Sequence, residues 1–248
     1  LSETSPENVS ALAGDLADVE SVVALKDLLD QIGVKNYDCR TDGANLDATE
    51  RCGYIMNSGI AGIEQADAIL LIGTFPRWEG TLVNTRIRKN WLENRIPVGS
   101  IGENLDHTFP VTHIGETPDC LQLLLDGKHE FAQKLEKSKT PLIIVGMGAF
   151  QRKDGLAIHA KVQELADKFN VVHENWNGFN VLHNAASRVG AMDVGFVNPE
   201  FSMKTADLVY FLNVDDEDII GDIPESAFVI YQGHHGDAGA QRADLILP

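Results

Sequence analysis

The chain has 248 residues, with 20 Lys and Arg against 37 Asp and Glu, giving a formal charge of −17 and a pI near 4.7. A surface this acidic argues against nucleic acid and against an anionic membrane face as partner, and leaves proteins or neutral and cationic molecules. At this length roughly three quarters of the unfolded surface is buried on folding, enough for one large α/β domain or two lobes.

In chain order, Val9 to Ala13 reads as a strand that ends in Gly14-Asp15. Asp18 then caps a helix whose apolar stripe is Val19, Val22, Val23, Leu25, Leu28, Leu29 and Ile32, closed by Gly33. Ala68 to Gly73 is a buried strand, Thr81 to Glu93 a helix, and Pro97 to Ile101 a short strand. A second set follows: Leu142 to Val145 as a strand, Lys153 to Phe169 as a helix and Phe179 to Met192 as another. Asp207 to Leu212, Phe228 to Tyr231 and Leu245 to Leu247 read as the last strands. Strands alternating with helices predict an α/β fold, a mostly parallel sheet in Rossmann-like layers flanked by helices.

Three segments, Ala66-Asp67-Ala68, Ala206-Asp207-Leu208 and Ala243-Asp244-Leu245, begin strands in the same way. The expectation for each aspartate is structural, a cap on the turn before its strand. No apolar run approaches the roughly 18 residues of a membrane span. Leu1-Ser-Glu-Thr4 carries no export pattern, and both ends read as cut edges of a longer protein.

The candidate sites come at strand ends. Gly146-Met-Gly148-Ala-Phe-Gln151 opens like a dinucleotide fingerprint, but the third glycine is missing, and so is a clear acidic residue ending the next strand. A tight strand-to-helix turn is the favoured reading. Arg77 and Trp78 follow Pro76 just past the Ala68 strand, where open α/β sheets place ligands. Arg86, Arg88 and Lys89 read as a solvated helix face. His234 and His235 point to opposite sides of an extended backbone and do not suit one metal ion. Cys39, Cys52 and Cys120 have no metal spacing and too few thiols for a cluster that needs four, so reduced structural thiols are expected.

Several separate segments carry one resemblance: Gly14-Asp-Leu-Ala-Asp-Val-Glu20, Ala24-Leu-Lys-Asp-Leu-Leu29, Gly73-Thr74 with Pro76-Arg77, Asn84-x-Arg-Ile-Arg-Lys-x-Trp91, and Gln232-Gly-His-His-Gly-Asp237 before Ala243-Asp244. Together they resemble the 75 kDa subunit family of respiratory complex I, the proton-pumping NADH-quinone oxidoreductase, in its bacterial form. The carboxyl-terminal part of that family is similar to molybdopterin oxidoreductases of the formate dehydrogenase and DMSO reductase kind. The resemblance implies that fold, as one module of residues 1–248. By analogy one lobe is formed by residues 1–40 plus 222–248 and the other by 41–221.

It also implies a former pterin cleft at Thr74, Phe75, Arg77, Gly146, Gly148, Gln151, Gln232 and Asp237. Molybdenum enzymes carry Gly-x-Asn-Pro where this chain has Gly73-Thr-Phe75-Pro76, so Phe75 replaces a side chain able to hydrogen-bond the cofactor. Where they read Asp-Pro-Arg for the guanosine end, Ser100-Ile-Gly102-Glu103 stands. In the terminal loop their threonines fall on Asp237 and Gly239, and only Gln232 survives. Cys39 is the nearest thiol to the position of the metal ligand, and Thr41 to Asn45 contains none.

The expectation is a cofactor-free scaffold, with no pterin, molybdenum or other metal and no catalytic residue. Iron–sulfur clusters belong to an amino-terminal region outside these residues. The expected partners are other peripheral-arm subunits of complex I, with no nucleic acid and no membrane insertion, on the cytoplasmic face of a bacterial inner membrane or the matrix side of a mitochondrial one. The alternatives are an active molybdopterin- or nucleotide-binding oxidoreductase domain and an independent NAD-binding module.

Overall fold

A computed structural model describes residues 4–236 and 238–248. The strands among them are, in chain order, β1 Val9–Ala13, β2 Tyr37–Asp38, β3 Ala68–Ile72, β4 Val98–Ile101, β5 Thr112–Gly115, β6 Pro141–Gly146, β7 Val172–His173, β8 Trp176–Asn177, β9 Phe179–Leu182, β10 Leu208–Leu212, β11 Phe228–Gln232 and β12 Leu245–Leu247. The chain divides into two units. One is discontinuous, residues 1–43 and 185–248; the other is the continuous stretch 44–184.

The second crossing corrects the expected lobe boundary near residue 222. Val9 pairs with Leu208 and Ala13 with Leu212, so β10 belongs to the sheet of β1 and its unit begins well before it.

The discontinuous unit holds a five-stranded sheet in the order β12-β11-β10-β1-β2, every pair parallel. Its central strands are buried throughout, which is why they read as unbroken apolar runs rather than alternating ones. Leu12, Val209, Phe211, Val229 and Tyr231 form a core on this sheet. The helix Val19–Gln31 begins as its sequence predicts: the Asp18 carboxylate accepts from the Ser21 N–H and hydroxyl, both at 2.8 Å. Val22, Leu25 and Leu29 are its buried face.

The continuous unit holds a second parallel sheet, order β5-β4-β3-β6-β9. Ile69, Leu71, Val98, Leu142 and Ile144 share a core with Val83 and Ile87 of the helix Thr81–Asn94. Gly99 points the other way, and a Cβ there would stand 2.8 Å from the Phe131 ring, so the glycine admits the helix Glu130–Lys137. The helix Gly155–Lys168 carries the buried His159.

The expectation of a helix over Phe179 to Met192 is wrong in its first half. Phe179–Leu182 is β9, parallel to β6, and only Arg188–Asp193 is helical. Asn180 fixes the strand: fully buried, it accepts from the Ser58 N–H (2.9 Å) and hydroxyl (3.0 Å) and donates to the carbonyls of Ile143 and Gly178. These tertiary partners decide the strand where the local sequence has no clear period.

The strand-start aspartates are structural, but they brace the neighbouring strand rather than their own turn. Asp67 accepts from the Ser138 hydroxyl and from the amides of Lys139 (2.8 Å) and Thr140 (3.1 Å), just before β6. Asp207 accepts from Asn8, just before β1, and Asp244 from the Val229 amide in β11. Each aspartate also donates its own N–H to the neighbour, to Thr140, Asn8 and Val229 respectively. Parallel strands thereby begin locked in register.

Candidate functional site

The order of the continuous unit's five-stranded sheet, numbered within that sheet, is 3-2-1-4-5, with the switch between β3 and β6. Ligands of such sheets bind beyond the carboxyl ends of the strands at this switch. A cavity of about 290 Å³ lies there. Ile72, Gly73 and Thr74 reach it from β3, Ser100 to Glu103 from β4, and Gly148 and Ala149 from the turn after β6. Gly73 makes the first turn possible with φ of +56°, and its N–H donates to the Ile101 carbonyl at 2.9 Å.

The glycines of the fingerprint-like segment are occupied by the protein itself. A Cβ at Gly148 would stand 2.8 Å from the Gly73 carbonyl oxygen, and one at Gly146 would collide with Thr74. The space that would admit phosphate oxygens in a nucleotide site holds the neighbouring turn. The helix that follows, Met147–Phe150, is a single turn.

The cavity's chemistry is acidic. Glu79, Glu103 and Glu116 line it, against Arg152, which is paired to Asp154 at 2.7 and 2.9 Å. Glu79 folds back from the short helix Pro76–Glu79: one oxygen accepts from the Thr74 hydroxyl at 2.5 Å and from the Phe75 N–H at 2.9 Å. This carboxylate occupies two donors of the very turn that would face a bound anion. Phe75 meets His107 edge-on with centroids 5.1 Å apart. Burial pushes the His107 imidazole below its ordinary range, against the opposing pull of Asp106, so it is neutral at pH 7.

Of the predicted cleft residues, Thr74, Phe75 and Gly148 line this cavity. Arg77, Gly146 and Gln151 lie in the same unit outside its lining; Arg77 points to Asp106, donating to its carbonyl at 2.9 Å and pairing with its carboxylate at 3.2 Å. Gln232 ends β11 in the other unit, where it accepts from the Tyr210 hydroxyl at 2.6 Å. Asp237 lies outside the described residues. Ser100, Gly102 and Glu103, singled out through the resemblance, do meet Thr74 and Phe75 in one cavity.

Sequence reading passed over Glu79, His107, Glu116 and Arg152. For Glu79 a signal existed: an acidic residue one turn after a proline at a helix start is placed to reach back to the preceding amides. His107 and Glu116 sit in irregular or edge segments with no such pattern.

Among the described residues no three His, Cys, Asp or Glu side chains gather to hold a metal ion. His234 and His235 do not point to opposite sides of an extended backbone as expected: the chain bends there, and the two exposed rings lie side by side with centroids 4.3 Å apart. Cys39 and Cys120 are buried and Cys52 is exposed. Burial first, then the neighbouring Asp38, pushes the Cys39 thiol up to about 12 despite Arg188 and Arg40, so it stays protonated and is a poor metal ligand.

In the discontinuous unit, numbered the same way, the order is 5-4-3-1-2 and the switch lies between β1 and β10. There Gly14 lies hard against the Asn213 carbonyl, leaving no room for a Cβ. The returning chain fills the ground beyond: Ser187 donates its hydroxyl to the Gly14 carbonyl at 2.9 Å and its N–H to that of Asp15. Arg188, 1% exposed, donates to Asp42 at 2.8 Å. Beside them Arg40 grips the buried Asp38 with Nε at 3.0 Å and Nη2 at 2.7 Å.

The family model described as molybdopterin oxidoreductase matches residues 1–248, the stretch that folds into these two parallel sheets. The chain belongs to the molybdopterin oxidoreductase family. Among curated proteins it is 44% identical over 248 residues, 99% of its length, to the mitochondrial NADH dehydrogenase [ubiquinone] iron-sulfur protein 1 of Solanum tuberosum, of which the match covers 33%. It is 41% identical over 98% of its length to a subunit of NADH-quinone oxidoreductase from Rickettsia bellii, covering 35% of that protein. It is 46% identical over its whole length to the mitochondrial NADH-ubiquinone oxidoreductase 78 kDa subunit of Candida albicans, again covering 35%. The chain thus spans about a third of the length of the curated relatives it matches.

Proposed function

We propose that this chain is the scaffold part of a polypeptide of the 75 kDa type in the peripheral arm of a proton-pumping NADH-quinone oxidoreductase. In this reading the whole complex carries electrons from NADH to quinone on the cytoplasmic or matrix side of its membrane, through iron–sulfur clusters held elsewhere. The residues of this chain dock other subunits and perform no chemistry. No helix among the described residues is long and apolar enough to cross a membrane, which fits a segment held on such a complex.

The family's pterin cofactor is a large anion, and the residues present do not fit it. The observation that carries this is Glu79, whose carboxylate already satisfies the Thr74 hydroxyl and Phe75 N–H inside a cavity that Glu103 and Glu116 also line. A fixed carboxylate near an incoming phosphate or thiolate opposes it by about a kcal/mol or more. The cavity is also at the lower end of the roughly 300–1,000 Å³ of small-molecule sites, small for a pterin-guanine dinucleotide. Phe75, in place of a polar side chain, adds an aromatic wall in contact with Trp78 and His107.

Elemental and pterin analysis of the complex purified from its native membrane tests this. Iron without stoichiometric molybdenum, and no fluorescent pterin after oxidative extraction, is the expected result. One molybdenum and one pterin per copy of this chain would instead restore the reading of an active molybdopterin oxidoreductase domain. Photolabelling of this chain itself by an NADH analogue within the complex would restore the nucleotide-binding one.

A further inference from the structure

The helix Thr81–Asn94 spends its packing capacity on one face, where Val83, Asn84, Ile87 and Asn90 are buried. Its opposite face is exposed and carries two leucines among polar and basic side chains. Leu82 is 70% exposed and Leu92 47%, and at 100° per residue they share an outward ridge with Thr85 and Lys89. Just before the helix stands Trp78, 82% exposed. Single exposed leucines need no explanation, but a tryptophan and two leucines along one short segment make an anchor set of the kind that interfaces use.

The charge around this ridge is opposite to that of the molecule. In a chain with 37 acidic and 20 basic residues, Arg77, Arg86, Arg88, Lys89 and Arg95 fall within nineteen positions that contain only Glu79 and Glu93 as acids. Glu79 is turned back onto Thr74 and Phe75, away from any role as counter-charge. Arg86 and Lys89 share the Glu64 carboxylate from outside the helix, and Arg88 makes no ion pair among the described residues. The ridge therefore mixes two leucines with Thr85 and Lys89, and Arg88 stands beside it without an ion pair among the described residues.

We propose that Trp78, Leu82 and Leu92, with Arg88 beside them, form the docking surface for one segment of another subunit, a segment whose aliphatic side chains alternate with Asp and Glu. The aliphatic groups cover the tryptophan and leucines, and a carboxylate answers Arg88, while Arg77 keeps Asp106 and Arg86 and Lys89 keep Glu64. The rest of this acidic chain repels the same segment, so the pairing fixes where it lands as well as how tightly. The proposal rests on the reading of the chain as a subunit of a larger assembly and adds the chemistry of one contact.

The test uses the full-length subunit within its membrane-derived complex. Leu82→Cys and Leu92→Cys are alkylated by a maleimide and compared with Leu156→Cys, a leucine 53% exposed on the separate helix Gly155–Lys168. Alkylation at least about tenfold slower at the two ridge positions is expected from burial in an interface core. A benzophenone attached at Leu82→Cys should crosslink to a polypeptide segment with more Asp and Glu than Lys and Arg, and Arg88→Glu should lower the salt concentration at which that polypeptide is released. Equal alkylation at all three positions, or crosslinks to lipid, nucleic acid or a basic segment, would overturn the docking surface while leaving the chain a subunit. If this chain does not co-purify with the oxidoreductase at all, the proposed function itself fails, and the contact with it.

Discussion

The two units build the same kind of sheet and treat the crevice past its central strands in opposite ways. In the continuous unit the strands diverge over a cavity lined by Thr74, Phe75, Glu79 and Glu103. In the discontinuous one the corresponding ground is closed by backbone, Gly14 against the Asn213 carbonyl, and by the returning segment with Ser187 and the buried Arg188. Each unit stabilises the ground beyond its strands in its own way. One unit leaves the space and turns its donors inward onto its own carboxylate; the other fills it with chain and pairs the charges it buries.

The contrast can be broken most sharply in the filled unit. Asp42→Ala removes a carboxylate 2.8 Å from the buried Arg188 guanidinium and should cost about 3 kcal/mol, read from the urea midpoint and from faster amide exchange in β1 than in β3. Gly14→Ala drives a methyl group into the Asn213 carbonyl and should cost about 2 kcal/mol, with the same strand exposed. In the unit with the cavity, Glu79→Ala frees the Thr74 hydroxyl and Phe75 N–H into open space that water can reach. The expected loss is about 1.5 kcal/mol, with exchange rising at Phe75 and not in β1.

A pH series sharpens the same comparison. His159 is held neutral by burial, its Nδ1 accepting from the Asp47 N–H at 3.0 Å, and burial likewise lowers His107; both belong to the continuous unit. A histidine whose folded pKa lies below its unfolded value of 6.5 contributes fully above that value, and its contribution falls as acid protonates the unfolded chain first. Stability of this unit should therefore decline as pH drops below about 6.5, and His159→Gln should flatten the decline in urea midpoints. The smallest effect belongs to the strand braces: Asp207→Ala should cost about 0.5–1 kcal/mol and speed exchange only around Asn8.

Long apolar runs made the central strands legible in the sequence, because strands covered on both faces need no alternation. Asp18 and Gly33 likewise announced the ends of the first helix. Phe179–Leu182 misled because four residues with mixed polarity carry no period of their own, and the bonds that make them a strand come from Ser58 and the β6 backbone. The edge strand Thr112–Gly115 is half-buried and short, and was invisible for the same reason. At the candidate site, Thr74, Phe75 and Ser100 to Glu103 could be named through resemblance, since a motif fixes its position along a strand. His107 and Arg152 could not, because they arrive from irregular segments whose meeting is decided by the sheet.

The chain route has a consequence for synthesis. Residues 44–184 are contiguous, and their sheet can close as soon as Leu182 has left the ribosome. Val9 must wait for Leu208, and until then the first strand has only Tyr37 and Asp38 as parallel partners. From its synthesis until Leu208 emerges, Val9–Ala13 is an apolar strand with an open edge, which makes the segment around it a natural client for a chaperone.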